Sequence, residues 1–399
     1  MHAHPTVVGP APRGELDIGD IFRCHEAAAL RQLTLSAAEK CVMKRLITCR
    51  TAALGGHLES CTHCDFERPA YNSCRDRHCP KCQAIRQAQW VALRLERIVP
   101  VPHYHIVFTL PGLLRPLARA NPELVYNLLF QAASKTLLAF ARDPKWLGAQ
   151  LGMTLVLHTW RRDLGFHPHI HSVVTAGGLS DDGKRWVQRA QNPKFLFPVA
   201  ALGKVFRGKF LAALRANDLR QLDGLPADPQ RLEKLLDRLY RMRWHVYAKR
   251  PFSTSKHLFQ YLGRYTHRVA LSNQRLIAVD DGGVTFATKD GGHVTLSAVE
   301  FIRRFLDHVL PVGFTKIRHY GLYAATHVHE RLVQARSLVS ATPCQTTLPQ
   351  RTSVAPDGDT TALLTALFGS DFLQCPACGQ GRMVRTNIIP PATRPRGPP

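Results

Sequence analysis

The chain has 399 residues, 45% of them apolar and 21% charged, a globular composition with room for two or three domains. Its 53 Lys and Arg against 29 Asp and Glu give a formal net charge of +24. That balance argues against an enzyme of small metabolites and for a polyanionic partner. A membrane surface is the other candidate for such charge, but no apolar run approaches the roughly 18 residues of a spanning helix. The N-terminus also lacks a signal-peptide core, so cytoplasmic residence in association with the nucleoid, and no membrane partner, is the expectation.

Taken in chain order, residues 1–20 are rich in Pro and Gly and read as a flexible arm. Residues 21–100 read as a small, mainly helical N-terminal zinc-binding domain. Its apolar residues recur at helical spacing as far as Arg50, and a cysteine cluster follows. Cys61-x2-Cys64, fourteen residues, then Cys79-x2-Cys82 is a four-thiolate zinc pattern, and clustered CxxC pairs in a large chain read as metal ligands rather than disulfides. Cys74, His57, His63 and His78 crowd the same stretch, and leave ligand exchange or a second ion open. Arg75, Arg77 and Lys81 surround the cluster and are candidate DNA contacts; a purely structural role for the zinc is the competing reading. Residues 85–99 carry a basic helical pattern.

Residues 101–272 read as the catalytic domain. HYHIVFTL (103–110), TLVLHTW (154–160) and HIHSVVTA (169–176) have strand character, the last two joined by a short polar loop and so expected to pair antiparallel. Helical patterns cover 113–142 and 198–240, and SKHLFQYLGRYTHRV (255–269) reads as a helix. Residues 273–340 form an accessory DNA-binding region: three short strands separated by DDGG and KDGG, then a basic helix. The stretch 341–399 is rich in Thr, Ser, Pro and Gly and is expected to be largely disordered. It carries an isolated CxxC at 375–378 whose one available partner in the tail is Cys344.

The densest chemistry lies in HPHIHSVV. Alternate side chains of a strand share a face, so His169 and His171, about 7 Å apart, point the same way and can converge on one ion. A hairpin would return His158, eleven residues upstream of His169, beside that pair as the third ligand; His167 is the competitor, with Pro168 putting it at a strand edge. The same letters half-fit a histidine-triad nucleotide hydrolase, but Pro168 and Ser172 stand where apolar residues belong. Tyr261 and Tyr265, four apart, share one helix face with Lys256, Arg264 and Arg268 close by. Two phenols on a basic helix, beside a metal site, suggest nucleophiles directed at phosphodiesters, because a phenol of pKa about 10 needs a nearby cation to favour its phenolate.

The series NSCRDRHCPKCQ (72–83), HIVFTLP (105–111), HTWRRDLGFHPHIHSVV (158–174) and YLGRYTHR (261–268), in this order, resembles the HUH endonuclease superfamily and within it the two-tyrosine rolling-circle insertion-sequence transposases. The resemblance covers roughly residues 20–330. It implies an α+β fold, an antiparallel sheet of the HUH type flanked by helices and preceded by the zinc-binding domain. It implies His169 and His171 as ligands of catalytic Mg²⁺ or Mn²⁺, Tyr261 and Tyr265 as nucleophiles, and structural Zn²⁺. By similarity to the three-histidine arrangement of relaxases, it implies His158 as third ligand. Phe108-Thr109-Leu110 is implied to be a central strand beneath the site. The expected partners are single-stranded DNA at the ends of a mobile element and target DNA. A plasmid rolling-circle replication initiator or relaxase shares this chemistry; a non-catalytic zinc-knuckle DNA-binding regulator is the alternative from another class.

Overall fold

The structure is a computed structural model that describes residues 16–82, 89–91, 93–94, 97–188, 196–249, 271–280, 283–289, 291–327, 330–340 and 373–392. The first two helices begin where the sequence supplies side-chain caps. Asp17 accepts from the Gly19 amide at 3.1 Å and opens α1 (Ile18–Gln32), while Ser36 and Glu39 form a reciprocal capping box at the head of α2 (Ala37–Thr48). A hairpin of β1 (Gly56–Cys61) and β2 (Glu67–Tyr71) follows. To the helical pattern expected in this region the structure thus adds a β-ribbon. Seven of the fifteen residues of the basic helical pattern at 85–99 lie outside the described residues, as does all of 255–269.

Beyond the ribbon come β3 (His103–Thr109), α3 (Arg115–Ala120), α4 (Pro122–Arg142), β4 (Gly152–Trp160) and β5 (Phe166–Thr175). A short pair, β6 (Gly178–Leu179) and β7 (Trp186–Val187), leads to α5 (Val199–Arg215), α6 (Pro229–Arg241) and β8 (Val246–Lys249). Then follow β9 (Leu276–Asp280), β10 (Gly283–Ala287), β11 (His293–Leu296), α7 (Ala298–Leu306), β12 (Ile317–Gly321), α8 (Arg331–Ser340) and β13 (Met383–Ile389).

Five strands make the central sheet in the order β12-β4-β5-β3-β8, every neighbouring pair antiparallel. The period-2 alternation read in the sequence gives this sheet two unlike faces. Tyr104, Ile106 and Phe108 of β3, Leu155 and Leu157 of β4, and Ile170 of β5 belong to the main core together with Leu129, Phe130 and Leu137 of α4 and Phe206 and Phe210 of α5. Phe108 meets Phe206 with ring centroids 5.0 Å apart. Each such fully buried side chain contributes about 1.5–3 kcal/mol of transfer free energy, which fixes the strand register against a one-residue slip. The opposite face receives the histidines.

Helix α4 is long and apolar enough to meet the length-and-composition test for a membrane span, contrary to the sequence expectation that no stretch approaches it. Within its most apolar window 67% is buried, and it serves as the central core helix.

A second core joins distant parts of the chain. Ile18, Phe22, Val42 and Leu46 of α1 and α2 pack with Phe286 of β10 and with Phe301 and Phe305 of α7; Phe22 and Phe305 lie edge to face at 5.4 Å. The sheet β11-β10-β9 matches the hairpins expected from the DDGG and KDGG turns. Strand β12, read as part of the same accessory stretch, instead completes the central sheet as the outer neighbour of β4. From the C-terminal stretch, β13 pairs antiparallel with β1, closing a three-stranded ribbon in the order β13-β1-β2.

Candidate functional site

On the face of the sheet turned away from the main core, His158 of β4 stands directly opposite His169 of β5, and His171 opposite Val156. One ring nitrogen from each of the three histidines falls within 4.8 Å of the others. His169 Nε2 and His171 Nε2 are 3.0 Å apart. That is the separation of adjacent ligands about 2.1 Å from one octahedral ion, so the pair fits a single divalent cation.

The far side of each ring is held. His169 Nδ1 donates to the His167 carbonyl at 2.6 Å, which leaves its Nε2 lone pair facing the cluster. His171 Nδ1 meets Nε2 of His105, on β3, at 2.7 Å. Fixing the second ring nitrogen sets both the tautomer and the ring plane of a ligating histidine. Burial pushes His169 and His105 down to about 4, and burial with the neighbouring His158 and His169 holds His171 well below its ordinary value. The rings are therefore neutral near pH 7, as metal ligation requires.

Of the two candidates for third ligand, the structure brings His158 into the cluster, its ring 4.2 Å from that of His171 and stacked on Trp160 at 4.6 Å. His167 turns its Nδ1 to Arg115 at 3.2 Å and offers the cluster its carbonyl, which accepts from His169 Nδ1, rather than a ring nitrogen. His105 is a residue that sequence reasoning missed: its strand was read as an underlay, although the same alternation that buries Ile106 places His105 on the histidine face. Tyr261, Tyr265, Lys256, Arg264 and Arg268 lie outside the described residues.

The cysteines divide differently from the sequence pattern. Cys61, Cys64, Cys79 and Cys82 do not form one group. Cys79 and Cys82 join Cys49 and Cys74, and Cys61 and Cys64 join Cys375 and Cys378. The reason is the hairpin between the two CxxC turns: β1 and β2 carry the first turn to the ribbon tip, while the second folds under the end of α2, where Cys49 is the C-cap. In the first group Sγ atoms are 3.5 Å apart for Cys49 with Cys82 and for Cys49 with Cys79, and 3.6 Å for Cys74 with Cys82. Sulfurs 2.3 Å from a tetrahedral zinc lie about 3.8 Å apart, so these four fit one Zn²⁺. Cys49 and Cys74 stand outside any CxxC; their one legible signal is the surplus of cysteines near the pairs. The CxxC at 375–378 is not isolated, and Cys344 lies outside the described residues.

The basic residues around the cluster also separate. Arg75 is exposed at a backbone φ of 54°. Arg77 reaches inward, donating to the carbonyls of Phe314 at 2.7 Å and Pro311 at 2.9 Å. Lys81 forms an ion pair with Asp17 at the head of α1. Beside them, Asp76 accepts from Arg45 Nη1 at 2.8 Å and from His78 Nδ1 at 2.9 Å. Burial by itself would raise the Asp76 carboxyl, but these donors hold it well below the usual carboxylate range.

A metal-binding, strongly basic protein with one face of an antiparallel sheet given over to histidine is of the kind that works on nucleic acid. A family profile described as "Putative transposase" matches residues 152–331, and one described as "Transposase zinc-binding domain" matches residues 21–110. The "Putative transposase y4qJ" of Sinorhizobium fredii is 42% identical over 399 residues, covering 95% of this chain and 97% of the relative. The "Transposase for insertion sequence element IS801" of Pseudomonas savastanoi pv. phaseolicola is 28% identical over 382 residues, 91% of this chain and 86% of that protein. No solved structure matches the chain. The chain belongs to the family of insertion-sequence transposases that carry an N-terminal zinc-binding domain.

Proposed function

We propose that this transposase moves DNA by a rolling-circle-type reaction, cutting and rejoining single strands at element ends through tyrosine nucleophiles. The observation that carries the reading is the convergence of His158, His169 and His171 on one point of the sheet face, with the far nitrogens of His169 and His171 already held. These three imidazoles would hold the catalytic cation. An all-imidazole set suits Mn²⁺ better than the harder Mg²⁺. When bound, such an ion polarises the scissile phosphate and stabilises charge developing on it and on the leaving 3′-oxygen.

Tyr261 and Tyr265 supply the nucleophiles. The Oη of one bonds to phosphorus, the bond from phosphorus to the 3′-oxygen breaks, and the leaving oxygen takes a proton to become a free 3′-hydroxyl. The chain now holds the 5′ end as a phosphotyrosine, and the ester bond retains the free energy of the phosphodiester. A 3′-hydroxyl from another strand reverses the step, and a second tyrosine lets cutting and joining alternate without an external energy source. Lys256, Arg264 and Arg268 favour the phenolate and track the phosphates. The substrates are single-stranded DNA at the element ends and target DNA, met in the cytoplasm at the nucleoid.

The test is incubation of the purified protein with end-derived, labelled single-stranded oligonucleotide and Mn²⁺. A covalent, protease-sensitive adduct is expected, with mass spectrometry locating the nucleotide on Tyr261 or Tyr265. His169→Ala should lose cleavage and keep DNA binding. Absence of any adduct would instead favour a non-catalytic regulator, and cleavage surviving in Tyr261→Phe/Tyr265→Phe would put the nucleophile elsewhere.

A further inference from the structure

The second cysteine group joins segments more than 300 positions apart. Cys61 ends β1 and Cys64 lies in the turn to β2; Cys375 and Cys378 lie in the turn before β13, which runs antiparallel to β1 with Cys61 opposite Met383 and Gly56 opposite Ile389. The two turns resemble each other. Each is closed by the amide of its first cysteine, Cys61 to the Phe66 carbonyl at 2.9 Å and Cys375 to the Gly381 carbonyl at 2.8 Å. Each also directs a backbone amide at a sulfur, His63 at Cys61 Sγ (3.3 Å) and Gly381 at Cys378 Sγ (3.4 Å). Such amide donors stabilise thiolate over thiol. Gly381 passes so close to Cys61 Sγ and His63 that a Cβ there has no room.

The sulfurs face each other across the turns at 3.7 Å for Cys61 with Cys378 and 3.9 Å for Cys64 with Cys375. These values bracket the separation of about 3.8 Å for two thiolates on one tetrahedral zinc. Beyond its hydrogen-bond ladders the ribbon has little apolar burial to hold it. Of the seven residues of β13, Met383 alone is buried, while Val384 and Ile388 are 43% and 88% exposed. In β1 Gly56 alone is buried, and in β2 no residue is. A three-stranded sheet open to water on both faces has too little apolar burial to offset the cost of ordering its chain, and small folds of this kind rely on a metal or disulfide.

We propose that Cys61, Cys64, Cys375 and Cys378 bind a second Zn²⁺ that clasps the 373–389 segment onto the N-terminal domain and is the main source of the ribbon's stability. The Cys49, Cys74, Cys79 and Cys82 group lies wholly within the matched zinc-binding segment 21–110; the second site does not, because half of its ligands come from the other end of the chain. Loss of the 373–389 segment would therefore leave the first centre and the histidine cluster intact and strip the ribbon of its metal.

The experiment uses the full chain, loaded with zinc under reducing conditions and freed of excess metal. Elemental analysis should show one Zn²⁺ per chain fewer than in the unmutated protein for Cys375→Ser/Cys378→Ser and for Cys61→Ser/Cys64→Ser alike. Alkylation footprinting of the unmutated protein gives an answer that does not depend on any variant folding. Exposed Cys24 and Cys41 should label at once, whereas the partly exposed Cys61, Cys64 and Cys378 should label only after a chelator is added. One zinc in the unmutated chain, an unchanged zinc content in both double variants, or labelling of Cys61 and Cys378 without chelator would each overturn the proposal. So would protection released by reductant and not by chelator, which would mark an oxidised pair.

Discussion

At the scale of single residues, the side chain that most shapes the histidine site is one that does not belong to the ligand group. His105 Nε2, 2.7 Å from His171 Nδ1, fixes which nitrogen of His171 faces the cluster. Replacing it with Ala leaves that ring free to turn and to change tautomer. His105→Ala should weaken Mn²⁺ binding about 10–100-fold, by calorimetric titration, with little change in DNA affinity. Unchanged metal affinity would reduce His105 to a space-filling role. Two histidines outside that cluster also contribute to acid sensitivity. Buried His103 accepts from the Tyr323 hydroxyl at 2.8 Å and donates to the Val101 carbonyl at 2.7 Å, while His308 is packed against Thr159 and Leu164. Burial pushes both down to about 4 from 6.5. The unfolded chain then takes up protons from about pH 6.5 downward while the fold does not. Their stabilising contribution is full above that pH and is lost as pH falls towards 4, at up to about 1.4 kcal/mol per pH unit for each. Urea midpoints should fall between pH 7 and pH 5, and the fall should be shallower in His103→Asn/His308→Asn; a midpoint independent of pH would contradict this.

At the scale of elements, the zinc-binding turn and the 307–316 loop are tied together by Arg77, whose guanidinium spans the carbonyls of Pro311 and Phe314. The sequence reading offered Arg77 as a DNA contact alongside Arg75, because both are basic and both flank the cysteines. Position alone could not separate them, since what distinguishes the two is a loop more than 230 residues away. Arg77→Ala leaves two carbonyls short of a charged donor and should cost about 1.5–3 kcal/mol of stability in denaturant titration. Arg75→Ala should cost less than about 0.5 kcal/mol. Equal stability losses would contradict the assignment of Arg77 to the fold. Locally encoded features fared differently. The alternation of β3, β4 and β5 depends on residues within one strand and was readable, whereas the Asp17 cap falls in the stretch expected to be a flexible arm and the Ser36–Glu39 capping box was not among the features read.

At the scale of the whole molecule, a net charge of +24 is held on a fold whose histidine group, among the described residues, includes no acidic side chain. Binding to single-stranded oligonucleotide should therefore fall linearly on a log–log plot against salt, with a slope of about −0.7 for each phosphate neutralised. A nearly flat response would remove phosphate contacts as the source of affinity. The same scale is where segments far apart in the chain meet. Strand β13 lies beside β1, and the α1–α2 pair shares its core with α7 and β10, so the N-terminal region is completed by segments from the far end of the sequence.

By itself the sequence determined what depends on near neighbours: the strand that puts His169 and His171 on one face, the hairpin that returns His158, the helix caps and the basic character. Tertiary structure decided the partners that spacing cannot specify. It set His158 rather than His167 in the histidine cluster, because the β4–β5 register puts His158 opposite His169 while Arg115 takes His167. It brought His105 to His171 through the β3–β5 pairing. It also regrouped the cysteines, because a CxxC turn fixes two ligands of a tetrahedral ion and leaves the other two to whatever part of the chain the fold brings within about 4 Å. For Cys61 and Cys64 that part lies at the opposite end of the protein.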